Sequence, residues 1–132
     1  MNGFPDDVEA YYAQLARERE WSAETQQAFR ASVELIRDLD RGTAARTFGA
    51  RADDDGTDRL FEAVWHEREW VVVRELHVTE DGTITRYWWQ RMEDEHGRLT
   101  DQALDREQWG LRPLERDDFY AAWDTPEWSL TA

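Results

Sequence analysis

The chain has 132 residues, 30 carboxylates against 16 arginines and no lysine, for a formal net charge of −14. Charge of that sign repels phosphate backbones and anionic headgroups, which argues against nucleic acid and membrane partners and in favour of another, basic protein. With no cysteine there are no disulfides or thiol nucleophiles, while eight Trp, four Tyr and five Phe supply the core of one domain spanning residues 1–132.

The opening residues lack the basic region and apolar run of a signal peptide, and no apolar stretch reaches membrane-spanning length, so a cytoplasmic protein is expected. Exclusive use of Arg over Lys suggests a G+C-rich bacterial genome.

Pro5 suits a first helical position, and Asp6 and Asp7 suit the positive end of a helix dipole. Val8, Tyr11, Tyr12, Leu15 and Ala16 then recur at helical spacing, predicting a helix from Pro5 to Glu20. Ser22 has the character of an N-cap, and Phe29, Val33, Ile36 and Leu39 draw a stripe that stops before Gly42, predicting a second helix from Ala23 to Arg41. A short link makes the two an antiparallel pair. Residues 43–56 read as an exposed loop ending in Asp53-Asp54-Asp55-Gly56. Leu60, Phe61, Val64 and Trp65 fit a short helix capped by Thr57; Phe61, Ala63 and Trp65 also alternate as a strand, and the helix is preferred.

The stretch from Trp70 to Met92 is a β-hairpin. Val71 to Val78 is β-branched and apolar, Asp81-Gly82 supplies the reversal, and Ile84 to Met92 returns. A two-residue loop places Arg86 opposite His77 and Trp88 opposite Glu75; a three-residue loop shifts the pairing by one. Arg98 to Leu104 is a candidate third strand. A final helix from about Asp117 carries Phe119, Tyr120 and Trp123 and stops at Pro126, leaving a tail anchored by Trp128. The fold class is α+β: an N-terminal helical hairpin packed on a small antiparallel sheet built around the central hairpin, with a C-terminal helix.

Consecutive strand residues point to opposite faces, so Trp88 and Trp89 cannot share one core, and one hairpin face needs its own cover. Trp70, Tyr87, Trp88 and Trp89, ringed by Arg74, Arg86 and Arg91, are the binding residues this suggests, because Trp, Tyr and Arg dominate recognition hot spots. Catalytic machinery is harder to find. Ser22, Ser32 and Ser129 lie outside any nucleophile-elbow context, and no catalytic residue, cofactor or metal site is assigned. Asp53, Asp55, Gly56 and Glu62 fall at offsets that resemble the calcium loop of EF-hands. Arg51 occupies the first ligand position, however, and Asp58 replaces an apolar residue, so the segment reads as a solvated turn. Glu75 and His77 share a strand face, the placement a shared metal or proton relay needs, but a metal takes three or four convergent ligands, so the pair reads as a polar sheet face with cross-strand charge pairs.

The expectation is a non-catalytic acidic protein-binding module. By class it resembles immunity or antitoxin proteins that mask a basic enzyme, with association steered by charge. An alternative comes from Val8 to Leu15, which resembles the opening helix of the cone-shaped α+β fold of nuclear-transport-factor-like cyclases and isomerases. That resemblance implies a small enzyme or ligand carrier, a small-molecule ligand in a Trp-lined pocket, and Glu75, His77 and Tyr87 as proton-transfer groups.

Overall fold

The computed structural model describes residues 3–126. Among them, α1 (Asp6–Glu18) and α2 (Ala23–Arg41) precede strands β1 (Arg46–Ala52), β2 (Asp58–His66), β3 (Glu69–Val78), β4 (Ile84–Tyr87) and β5 (Arg112–Pro113), and α3 (Arg116–Trp123) closes the order. The strands form one antiparallel sheet in the order β4-β3-β2-β1-β5. The α+β class is therefore as read from the sequence. Trp128 lies outside the described residues.

Ser22 caps α2 by accepting from the Thr25 N–H at 3.1 Å. Pro5 sits just before α1 rather than inside it, and α1 ends two residues earlier than expected. There Glu20 takes a left-handed φ of 54° and the Trp21 N–H reaches back to the Ala16 carbonyl. Phe4 under Arg37, Glu9 with Arg30 and Tyr12 against Phe29 run in opposite chain directions, so the two helices are antiparallel.

Two expectations along the next segment are corrected. Residues 46–52, read as loop, form β1, and Leu60 to Trp65, read as a helix, lies in β2. β2 is covered on both sides: Phe61, Ala63 and Val64 join the core with Val33 and Ile36 of α2, while Leu60 joins Phe48, Leu76, Ile84 and Phe119 of α3. A strand buried on both faces reads as a continuous apolar run, which periodicity alone does not separate from a helix. Arg98 to Leu104 is a third correction. It is irregular chain held by the Leu99 N–H on the Met92 carbonyl and the Leu104 N–H on the Trp70 carbonyl.

The central hairpin has the three-residue loop. Thr79 N–H meets the Thr83 carbonyl at 2.9 Å across Glu80, Asp81 and Gly82, with Gly82 at φ 88°. Glu75 consequently stands opposite Tyr87, and Leu76 opposite Arg86. Asp54-Asp55-Gly56 joins β1 to β2 in the same way, with Asp53 N–H on the Thr57 carbonyl and Gly56 at φ 85°. Val73 is an extra residue in β3, because the register slips between Glu62 and Ala63, and both Val72 and Val73 are buried.

Candidate functional site

Direct opposition in an antiparallel sheet puts paired residues on one face. Ala50, Leu60, Leu76 and Arg86 therefore form one row, and Phe48, Glu62 and Arg74 the next, on the face that α3 covers. Here lies a buried ion network. Arg46 reaches Glu62 at 2.7 Å, Arg74 grips Asp40 with two contacts at 3.1 and 3.0 Å, and Tyr120 donates to Glu62. Burial, then the bond to the Glu62 carboxylate, pushes the Tyr120 hydroxyl up to about 12. Every member has a partner, which makes the network a clamp between α2, the sheet and α3.

Glu62 is thus occupied in that clamp, and Asp53 is shared by Arg51 and Arg59. Of the residues resembling a calcium loop, Asp53 and Glu62 are thus ion-pair partners, while Asp55 accepts the Thr57 N–H and Gly56 supplies the positive φ of the turn.

On the opposite face the rows are Gly49, Phe61, Glu75, Tyr87 and Arg51, Arg59, His77, Thr85. Glu75 is 1% exposed, and its Oε2 lies 2.5 Å from His77 Nε2. Its Oε1 accepts the Thr100 N–H at 2.9 Å. Tyr87 packs its ring 5.1 Å from His77 and donates to Asp94. Burial, then this bond to a carboxylate, raises the Tyr87 hydroxyl above the ordinary phenol range. Asp94 is opposed by burial, but N–H groups of His96 and Gly97 and the Tyr87 hydroxyl hold it below the usual carboxylate range. The turn at Gly97 packs over Tyr87 and His77: a Cβ at Gly97 would stand 3.1 Å from the Tyr87 hydroxyl.

The predicted hairpin residues are mostly engaged inside the chain. Trp88 and Trp89 lie in the turn that follows β4, which ends at Tyr87 rather than running on to Met92, and they find different partners. Trp88 meets Trp123 of α3 at 5.4 Å, and Trp89, 5% exposed, packs on Phe4 with Arg41 over its ring. Trp70 abuts Trp65, Arg74 holds Asp40, Arg86 donates to carbonyls of Trp123 and Thr125, and Arg91 lies over Tyr11. The structure brings Glu75, His77 and Tyr87 together, whereas Trp70, Arg74, Trp88, Trp89 and Arg91 do not share one surface.

An open groove lies elsewhere, between α2 and residues 92–103. Its volume is about 420 Å³, its apolar lining includes Phe29, Leu35, Val71, Met92 and Leu99, and its charged lining is Glu67, Glu69, Glu93 and Asp101 against Arg98. Leu35 is 43% exposed and Trp65, in the strand entering the rim turn, 45%; they are the large exposed hydrophobics among the described residues. The rim turn between β2 and β3 puts both Glu67 and Arg68 at positive φ, 49° and 69°, where side-chain-bearing residues are disfavoured. Glu75 fixes the opposite wall through Thr100. Sequence reasoning missed this groove because α2, the rim turn and the 92–103 segment are far apart in the chain. The one local signal was Leu35 beside the buried stripe of α2.

No helix among the described residues is long and apolar enough to cross a membrane. No protein-family model, curated protein or solved structure matches the chain.

Proposed function

We propose that this chain is a non-catalytic binding module that masks a basic protein, in the manner of an immunity or antitoxin partner, and that the groove beside α2 is where it does so. The observation that carries the reading is an exposed apolar floor at Leu35 within a lining of four carboxylates and one arginine. An apolar anchor supplies affinity by leaving water, and the acidic rim selects a cationic partner and speeds encounter. The net charge of −14 acts in the same sense at longer range. The rim turn adds support. Two residues held at left-handed φ cost about 1–2 kcal/mol each, and such strain concentrates at binding and catalytic sites.

The test compares wild type with Leu35→Asp as bait for native lysate, followed by kinetics on the retained protein. A retained basic protein that Leu35→Asp fails to hold, and whose association slows as salt rises, is the expected result. Equal retention by Leu35→Asp, or an association rate indifferent to salt, would overturn the reading.

A further inference from the structure

The sheet sets Arg51 directly opposite Arg59, an arrangement of like charges that destabilises a strand pair unless something neutralises it. Asp53 does half of this: it lies 2.5 Å from Arg59 Nε and 3.3 Å from Arg51 Nε. The second contact is an attraction without hydrogen-bond alignment, because Arg51 Nε is sealed from solvent and has no hydrogen-bond partner. Glu75 adds a looser ion pair, 3.8 Å from Arg59, while its oxygens also meet His77 and accept the Thr100 N–H. What stays unanswered is the hydrogen-bonding capacity of Arg51 Nε.

Both guanidiniums border a cavity of about 150 Å³ whose other walls are Phe61, Trp109, Glu75, Thr100 and Gln102. Arg51 is held near two ring faces, 5.8 Å from the Trp109 centroid and 6.0 Å from that of Phe61. The chamber is about half the volume of the smallest drug-sized pockets, so its ligand is a short molecule.

We infer that this cavity binds a small carboxylate, with the guanidinium forks of Arg51 and Arg59 donating to its oxygens. The planar fork matches a carboxylate, and the ring walls suit a flat or short aliphatic body. Glu75 and Asp53 beside the cavity oppose a doubly charged phosphate and tolerate a single charge. The cavity shares Thr100 and Gln102 with the groove beside α2, but Arg51 and Arg59 line only the cavity, and the inference does not depend on that reading.

The experiment titrates the full chain with acetate and, in parallel, inorganic phosphate, following arginine Nε–Hε resonances by NMR. A saturating shift at Arg51 and Arg59 with acetate is expected, weakened roughly tenfold or more in both Arg51→Gln and Arg59→Gln and unchanged in Leu35→Asp. A shift that grows linearly without saturating, acetate binding by either arginine variant as tight as that of wild type, or tighter binding of phosphate than of acetate would overturn it. The Leu35→Asp arm keeps failure here distinct from failure at the groove.

Discussion

Glu62 is a fully buried carboxylate whose partners come from three directions: Arg46 on β1, Arg74 on β3 and Tyr120 on α3. Removing its charge takes one carboxylate from partly buried Arg46 and Arg74, which both keep Asp40, so Glu62→Gln is expected to lower stability by about 1–3 kcal/mol in urea unfolding. Tyr120→Phe, which deletes one bond to a charged acceptor, should lose roughly 1.5–3 kcal/mol. Asp94 gives a pH signature. Its carboxyl is held below its ordinary value, so its contribution to stability is present above about pH 4 and is lost as pH falls through the lowered value. The stability gap between wild type and Asp94→Asn should accordingly be widest near neutrality and close in acid, as read from urea midpoints between pH 2.5 and 7 by the same arithmetic. A gap that stays constant across that range contradicts the assignment.

Turn chemistry decides how much of each element was legible. Asp81-Gly82-Thr83 was read as a reversal because valines precede it and aromatics follow. Asp54-Asp55-Gly56 builds the same three-residue loop, with the Thr57 N–H donating to the Asp55 carboxylate as Thr83 does to Asp81, but was read as part of an exposed loop. Its flanks hid it. Arg46 to Ala52 carries only Phe48 as a large apolar residue, and Leu60 to Val64 is buried on both faces and has no alternation. Ser22 and the α2 stripe were legible because cap and periodicity agree at every position. The turn at Glu67-Arg68 contradicts its own geometry, since two-residue turns of this kind favour Asn-Gly. Replacing Glu67-Arg68 with Asn-Gly is expected to raise stability by about 1–3 kcal/mol while weakening partner binding, because strain and a rim carboxylate leave together.

At the scale of the molecule, strand alternation does not part the paired tryptophans, because β4 ends at Tyr87 and Trp88 to Arg91 close a turn. Both rings pack on the core that holds Phe61 and Val33, and α3 covers the sheet through Trp123, which Trp88 meets, with Phe119 stacked on Trp123 at 5.9 Å and fully buried. Phe119→Ala should therefore cost about 3–5 kcal/mol and expose the sheet face to apolar dyes. Glu75 and His77 were legible as neighbours from strand spacing alone. Arg51 and Arg59 were not, since their opposition needs the β1–β2 register. The acid-rimmed groove is lined by residues that run from Phe29 to Ala103 in sequence, beyond any local pattern.

The account stands most directly on where a cationic partner touches the protein. Amide and methyl shifts on titration with an Arg/Leu-rich amphipathic peptide should cluster at Leu35, Val71, Met92 and Leu99 and fade with added salt. Shifts concentrated instead at Trp88, Arg86 and Trp123, or spread evenly over the acidic surface, would contradict it.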